Sequence, residues 1–98
     1  MAYLIEVFLP VTDDCSRSNI DAVREEITRN FGGATLYLHS PAEGLWENNG
    51  ALERDLIIVA EAMTSALDRA WWAEYRLQLQ ILFHQDEILI RATSMERL

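Results

Sequence analysis

Apolar residues recur along this chain in two rhythms, and the change from one to the other marks out its elements. From Tyr3 to Val11 they come in the short run of a strand, closed by Pro10 and the polar stretch Thr12-Asp-Asp-Cys-Ser-Arg17. Ile20, Val23, Ile27 and Phe31 then fall at spacings of 3, 4 and 4, the stripe of an amphipathic helix. Ser18 and Asp21 suit a capping box at its start, Glu25 and Arg29 suit an i,i+4 pair, and Gly32-Gly33 suits its stop. Ala34 to His39 alternates as a second strand, and Leu56 to Met63 forms a third. Between them Pro41 to Arg54 reads as the longest irregular stretch, with the turn signal Asn48-Asn49-Gly50. A second helix is predicted from near Thr64 to Asp68 as far as about Phe83, with Trp71, Trp72, Tyr75, Leu79, Leu82 and Phe83 in one arc. Ala70, Leu77 and Ile81 lie on its far side. Glu87 to Thr93 is the last strand.

The order is strand, helix, strand, strand, helix, strand. Short connections and right-handed crossovers point to an α+β, ferredoxin-like βαββαβ sandwich over residues 1–98. Its four antiparallel strands are expected in the order 4132, with both helices on one face.

Three charges break the pattern: Glu6, Glu61 and Arg91 each sit inside an apolar strand. A charge there must meet water, a partner charge, a ligand or another subunit, because an unpaired buried charge is costly. Alternation sends Ile5, Val7, Leu9, Leu36, Leu38, Leu56, Ile58, Ala60, Ile88 and Ile90 to the helix side. The open side receives Leu4, Glu6, Phe8, Thr35, Tyr37, His39, Asp55, Ile57, Val59, Glu61, Leu89, Arg91 and Thr93. All three charges thus share the face without helices, and Glu6 and Arg91 are expected on neighbouring strands. The apolar remainder of that face is too large for bulk water, which marks an interface or a ligand site.

Composition narrows the partners. The net charge is −8, and all eight basic residues are scattered arginines. With no basic cluster, neither nucleic acid nor an anionic membrane is an expected partner. The one cysteine, Cys15, gives no intramolecular disulfide, and its acidic neighbours disfavour a reactive thiolate. Glu6 interrupts the first hydrophobic run, no signal-like segment is legible, and no apolar stretch reaches the ~20 residues of a membrane span. A cytoplasmic location is the expectation. Two histidines and one cysteine far apart show no metal-ligand spacing, and no phosphate-cradling glycine loop is present. Neither a metal nor a cofactor is therefore expected.

Several residues are candidates for chemistry. His39, beside Tyr37 near the end of an edge strand, has the residue type of a general base. Trp46, in the long loop, suits either a lid wall or a pin for that loop. Glu53 and Asp55 would add an acid at a cavity mouth. His84 suits the negative pole of the second helix, and Trp71-Trp72 suits core packing. Leu77 and Ile81 suit either a second contact between copies or cover by the Pro41 to Arg54 loop or by the tail with Met95 and Leu98.

The layout resembles the dimeric α/β-barrel superfamily, whose members include small cofactor-free monooxygenases and lactone isomerases. The stretches Phe31-Gly-Gly-Ala-Thr35, Pro41-Ala-Glu-Gly-Leu-Trp46, Asp68-Arg-Ala-Trp-Trp72 and Phe83-His-Gln-Asp-Glu87 are similar to a group of bacterial ferredoxin-like proteins without an assigned activity. The resemblance implies the fold and a homodimer joined through the open face. It implies no reaction, since this fold hosts many chemistries. Two functions follow as expectations. One is a small-molecule-binding or interaction module whose open face meets a second copy or a small organic ligand. The other is a cofactor-free enzyme with His39 as base, Glu6 or Glu61 as acid or base, and Arg91 holding an anion. The first is favoured, because no nucleophile–base set can be read in the chain.

Overall fold

The computed structural model describes the backbone of residues 2–10, 16–48 and 51–98, and the side chains of residues 2–10, 16–37 and 57–98. The elements run β1 (Ala2–Pro10), α1 (Arg17–Phe31), β2 (Thr35–Asn48), β3 (Ala51–Thr64), α2 (Arg69–Leu82) and β4 (Ile90–Met95). The strands form one sheet in the order β2-β3-β1-β4, every neighbour antiparallel. This is the expected 4132 order read from the other edge.

The largest correction concerns Pro41 to Arg54, where an irregular loop is expected. The backbone instead continues the β2–β3 ladder from Ala42↔Ile57 to Asn48↔Ala51. Asn49 and Gly50, which carry the turn signal, lie outside the described residues. Pro41 discourages a strand reading because it has no N–H to give. Here it falls in a register shift, between Tyr37 and Ala42, on a strand at the sheet's edge. Both are places where a missing donor is tolerated.

Smaller corrections follow from particular hydrogen bonds. Ser16, not Ser18, caps α1, its hydroxyl accepting the Asn19 N–H at 3.2 Å. Arg29 pairs with Glu26 at 2.8 Å rather than with Glu25, one position closer on the helix surface. The last strand starts at Ile90 rather than Glu87 and continues to Met95, because β1 reaches back to Ala2, which pairs with Met95. Gly32 ends α1 as expected, with φ of 80° and its N–H on the Thr28 carbonyl, a conformation in which glycine has no Cβ to clash. Asp68 caps α2 by accepting the Trp71 N–H at 3.0 Å.

The core lies between one face of the sheet and both helices. Ile5, Val7 and Leu9 from β1 and Ile58, Ala60 and Ala62 from β3 meet Ile20, Val23 and Ile27 of α1. They also meet Trp72, Tyr75 and Leu79 of α2, together with Phe83 and Ile88. The two tryptophans pack rather than display themselves. Trp72 stacks on Phe31 with ring centroids 5.0 Å apart, and Trp71 meets the same ring edge-on at 5.1 Å. These aromatic contacts join the end of α1 to the start of α2.

The Tyr75 hydroxyl and Trp72 Nε1 are buried and have no hydrogen-bond partner among the described residues. Burial, with the Glu26 charge second, holds the Tyr75 phenol well above its usual pKa, so it stays neutral. An orphaned buried donor costs free energy that an apolar replacement of the same shape does not. Tyr75→Phe is therefore expected to stabilise the protein by about 1 kcal/mol in urea unfolding. A loss of that size would show that the hydroxyl is bonded.

Candidate functional site

The helix-free face is organised by register into cross-strand rows. In one row Arg91 of β4, Glu6 of β1, Glu61 of β3 and Thr35 of β2 lie opposite one another in turn. The charges that interrupt three separate strands in the sequence therefore stand side by side. On one side of them lies an apolar row: Phe8, Val59 and Tyr37, with Leu89 at its end. Leu89 precedes β4, and its carbonyl accepts the Phe8 N–H at 3.0 Å. On the other side Leu4 faces Met63 and Thr93.

Glu6 and Glu61 are direct cross-strand neighbours, an arrangement in which like charges repel. Two contacts offset the repulsion. Arg91 Nε donates to Glu6 Oε1 at 2.8 Å, and the Tyr37 hydroxyl donates to Glu61 Oε1 at 2.8 Å. The Arg91 guanidinium also lies 4.9 Å from the centre of the Phe8 ring, within range of a cation–π contact. Its hydrogen bond to Glu6 and the Glu6 charge hold it above the usual arginine value, so it stays charged.

The hydrogen bond to Glu61, and then the Glu61 charge, raise the Tyr37 phenol above its ordinary value of 10.0. The neutral phenol is the form that donates. Its contribution is thus fully present at neutral pH and is lost as the pH rises through the raised value.

Next to the apolar row is a depression of about 320 Å³. Phe8, Pro10, Ile57 and Leu89 line it, with Gln85, Asp86 and Glu87 from the α2–β4 connection. Ile57 is buried but stands outside the core between sheet and helices. The volume is at the low end for a small-molecule site.

Of the sequence-predicted site residues, the structure brings Glu6, Phe8, Tyr37, Ile57, Val59, Glu61, Leu89 and Arg91 to one face. For His39, Trp46 and Asp55 only the backbone is described. His39 lies in the register shift of β2, Trp46 pairs with Glu53, and Asp55 pairs with Gly44. The expected placement of Trp46 in a loop is thereby corrected, and its side chain lies outside the described residues. Leu77 and Ile81 are exposed on the outer side of α2. Glu53 is in β3, with its side chain outside the described residues.

Sequence reasoning missed the opposition of Glu6 to Glu61, the Tyr37–Glu61 bond and the part of Gln85, Asp86 and Glu87 in the depression. The first two follow from the β1–β3 and β2–β3 registers. Asn48-Asn49-Gly50, taken as a two-residue hairpin turn, is the signal that would have extended the β2–β3 ladder. Among the described residues no group of three or more His, Cys, Asp or Glu is placed to hold a metal ion. The face offers paired carboxylates, a paired cation and apolar area.

No family model matches the chain, and no curated protein sequence matches it. Solved structures do match. The periplasmic divalent cation tolerance protein CutA of Archaeoglobus fulgidus superposes with a TM-score of 0.67 at 15% identity. The match covers 99% of this chain and 86% of that one. The chain has a ferredoxin-like fold. The divalent cation tolerance protein Cut A1 of Thermus thermophilus gives 0.65 at 12% identity, over 99% of this chain and 86% of the other. A Bacillus cereus protein related to NIF3 gives 0.63 at 12%, over 98% of this chain but 26% of that much longer one. At such identities the likeness is one of fold alone.

Proposed function

We propose that this protein is a non-enzymatic interaction module that associates with copies of itself through the open face of its sheet. The depression beside Phe8 then takes a small organic ligand at or near the seam. One observation carries the reading: the charged row has its hydrogen-bond partners on the face itself, while Tyr37, Met63 and Leu89 beside it stay exposed. Tyr37 is 48% exposed, Met63 48% and Leu89 45%. An apolar surface crossed by a row whose charges already hold hydrogen-bond partners suits burial against another surface. The superfamily resembled in layout closes two such faces on each other, and a homodimer is the arrangement carried forward.

The enzyme reading lacks comparable support. Arg91 and Tyr37 already donate to Glu6 and Glu61. The side chain of His39, the expected base, lies outside the described residues. The names of the structural neighbours mention divalent cations, but no ligand cluster among the described residues supports extending that to this chain. No described helix is long and apolar enough to cross a membrane. A cytoplasmic setting remains part of the proposal, although the Archaeoglobus neighbour is named as periplasmic.

Hydroxyl-radical footprinting at low and high protein concentration tests which face is covered. Tyr37, Met63 and Leu89 are expected to become protected as concentration rises, while Leu77 and Ile81 remain reactive. Protection of Leu77 and Ile81 with an unchanged sheet face would move the contact to α2 and overturn the reading.

A further inference from the structure

Resting on that reading, we propose that charge sets the contact: Arg91 of one copy pairs with Glu61 of another. The row that crosses the face has a direction. It runs from Arg91 at the β4 edge through Glu6 to Glu61, positive at one end and negative at the other. Two strand spacings separate the ends, about 9–10 Å. A second copy laid on the face with its row reversed sets each positive end against a negative one. A copy laid the same way sets Arg91 against Arg91 and Glu61 against Glu61. The ends of the row are therefore complementary in one sense only, that of a two-fold pair, with Glu6 opposite Glu6 at its centre in either sense.

Both ends have capacity left for a partner. Arg91 uses Nε on Glu6, and the rest of its planar fork donates to nothing among the described residues. Its side chain is 57% exposed and rests on Phe8. Glu61 accepts Tyr37 at Oε1, and Oε2 accepts nothing among the described residues. The rows on either side, Phe8, Val59 and Leu89 with Leu4 and Met63, would exclude water from the new pair and strengthen it. The chain as a whole carries −8, so two copies repel over most orientations. A face that puts an arginine opposite a carboxylate relieves that repulsion, which favours a second copy over another acidic partner.

Charge reversal tests the pairing by sedimentation velocity. Arg91→Glu and Glu61→Arg should each weaken self-association about tenfold or more. An equimolar mixture of the two should form a mixed complex more readily than either variant forms its own, because both contacts between positions 91 and 61 are then Glu against Arg. Far-ultraviolet circular dichroism checks that the variants are folded. If Arg91→Glu is not, Arg91→Gln replaces it, and weaker self-association is again expected. Variants that associate like the wild type, with no preference in the mixture, would overturn the pairing while leaving the interaction module standing. A wild-type protein that stays monomeric would overturn both.

Discussion

Replacing Phe83 with alanine should lower the stability of the protein by about 3–5 kcal/mol, the usual loss for a large buried aromatic. Phe83 has no exposed surface and is the largest fully buried side chain of the described residues. It stands where the chain leaves α2, with its N–H on the Leu79 carbonyl at 2.9 Å. It belongs to the one core cluster built from both helices and the sheet, where a vacated volume is not readily refilled. A domain of this length has about 5–15 kcal/mol in total, so the variant stands close to unfolding. By the usual scaling its Tm falls by roughly 15–30 °C. Ile81, two residues earlier on the same helix, is 76% exposed, and Ile81→Ala should change stability by no more than about 0.5 kcal/mol. Both are read at one protein concentration, since association adds to apparent stability. A small loss for Phe83→Ala would mean that the core closes elsewhere.

Val59→Lys should abolish self-association while leaving the fold intact. Val59 lies between Phe8 and Tyr37 in the apolar row, on the inner strand β3. Within one copy a lysine there is tolerable. It stands on the open side of the sheet, two residues from Glu61 on the same strand face. In a seam between copies it is not, because the ammonium loses water without a dedicated partner. A penalty of about 3 kcal/mol weakens the contact more than a hundredfold. Ile81→Lys, on the outer side of α2, is the matched control and should leave the mass unchanged. If Ile81→Lys dissociates the protein and Val59→Lys does not, the face has been chosen wrongly.

How much of this was legible in the sequence depends on the range of the information required. Strand alternation is local, and it sorted Ile5, Val7, Leu9, Ile58 and Ala60 from Glu6, Phe8, Val59 and Glu61 correctly. Helical spacing is local as well, and the arc through Trp72, Tyr75, Leu79 and Phe83 is the buried one. Topology followed because few connections are allowed between six short elements. Register did not follow, because it depends on where strands distant in sequence begin and end. Glu6 was expected beside Arg91 and is, but its equally direct neighbour Glu61 could not be placed without the β1–β3 ladder. The Pro41 to Arg54 stretch was misread for a related reason. Pro41 and Gly44 are poor strand residues, and only the pairing of Ala42 to Asn48 with β3 makes the stretch a strand. The cavity lining from Gln85 to Glu87 depended on how the α2–β4 connection passes Phe8, which no local pattern encodes.

The central claim is that the open sheet face holds copies of this chain together. Sedimentation equilibrium of the wild-type protein across a wide dilution series measures this directly. The predicted result is a mass of two 11.3 kDa chains that falls to that of one chain in the Val59→Lys variant. A mass of one chain at every concentration would contradict the account.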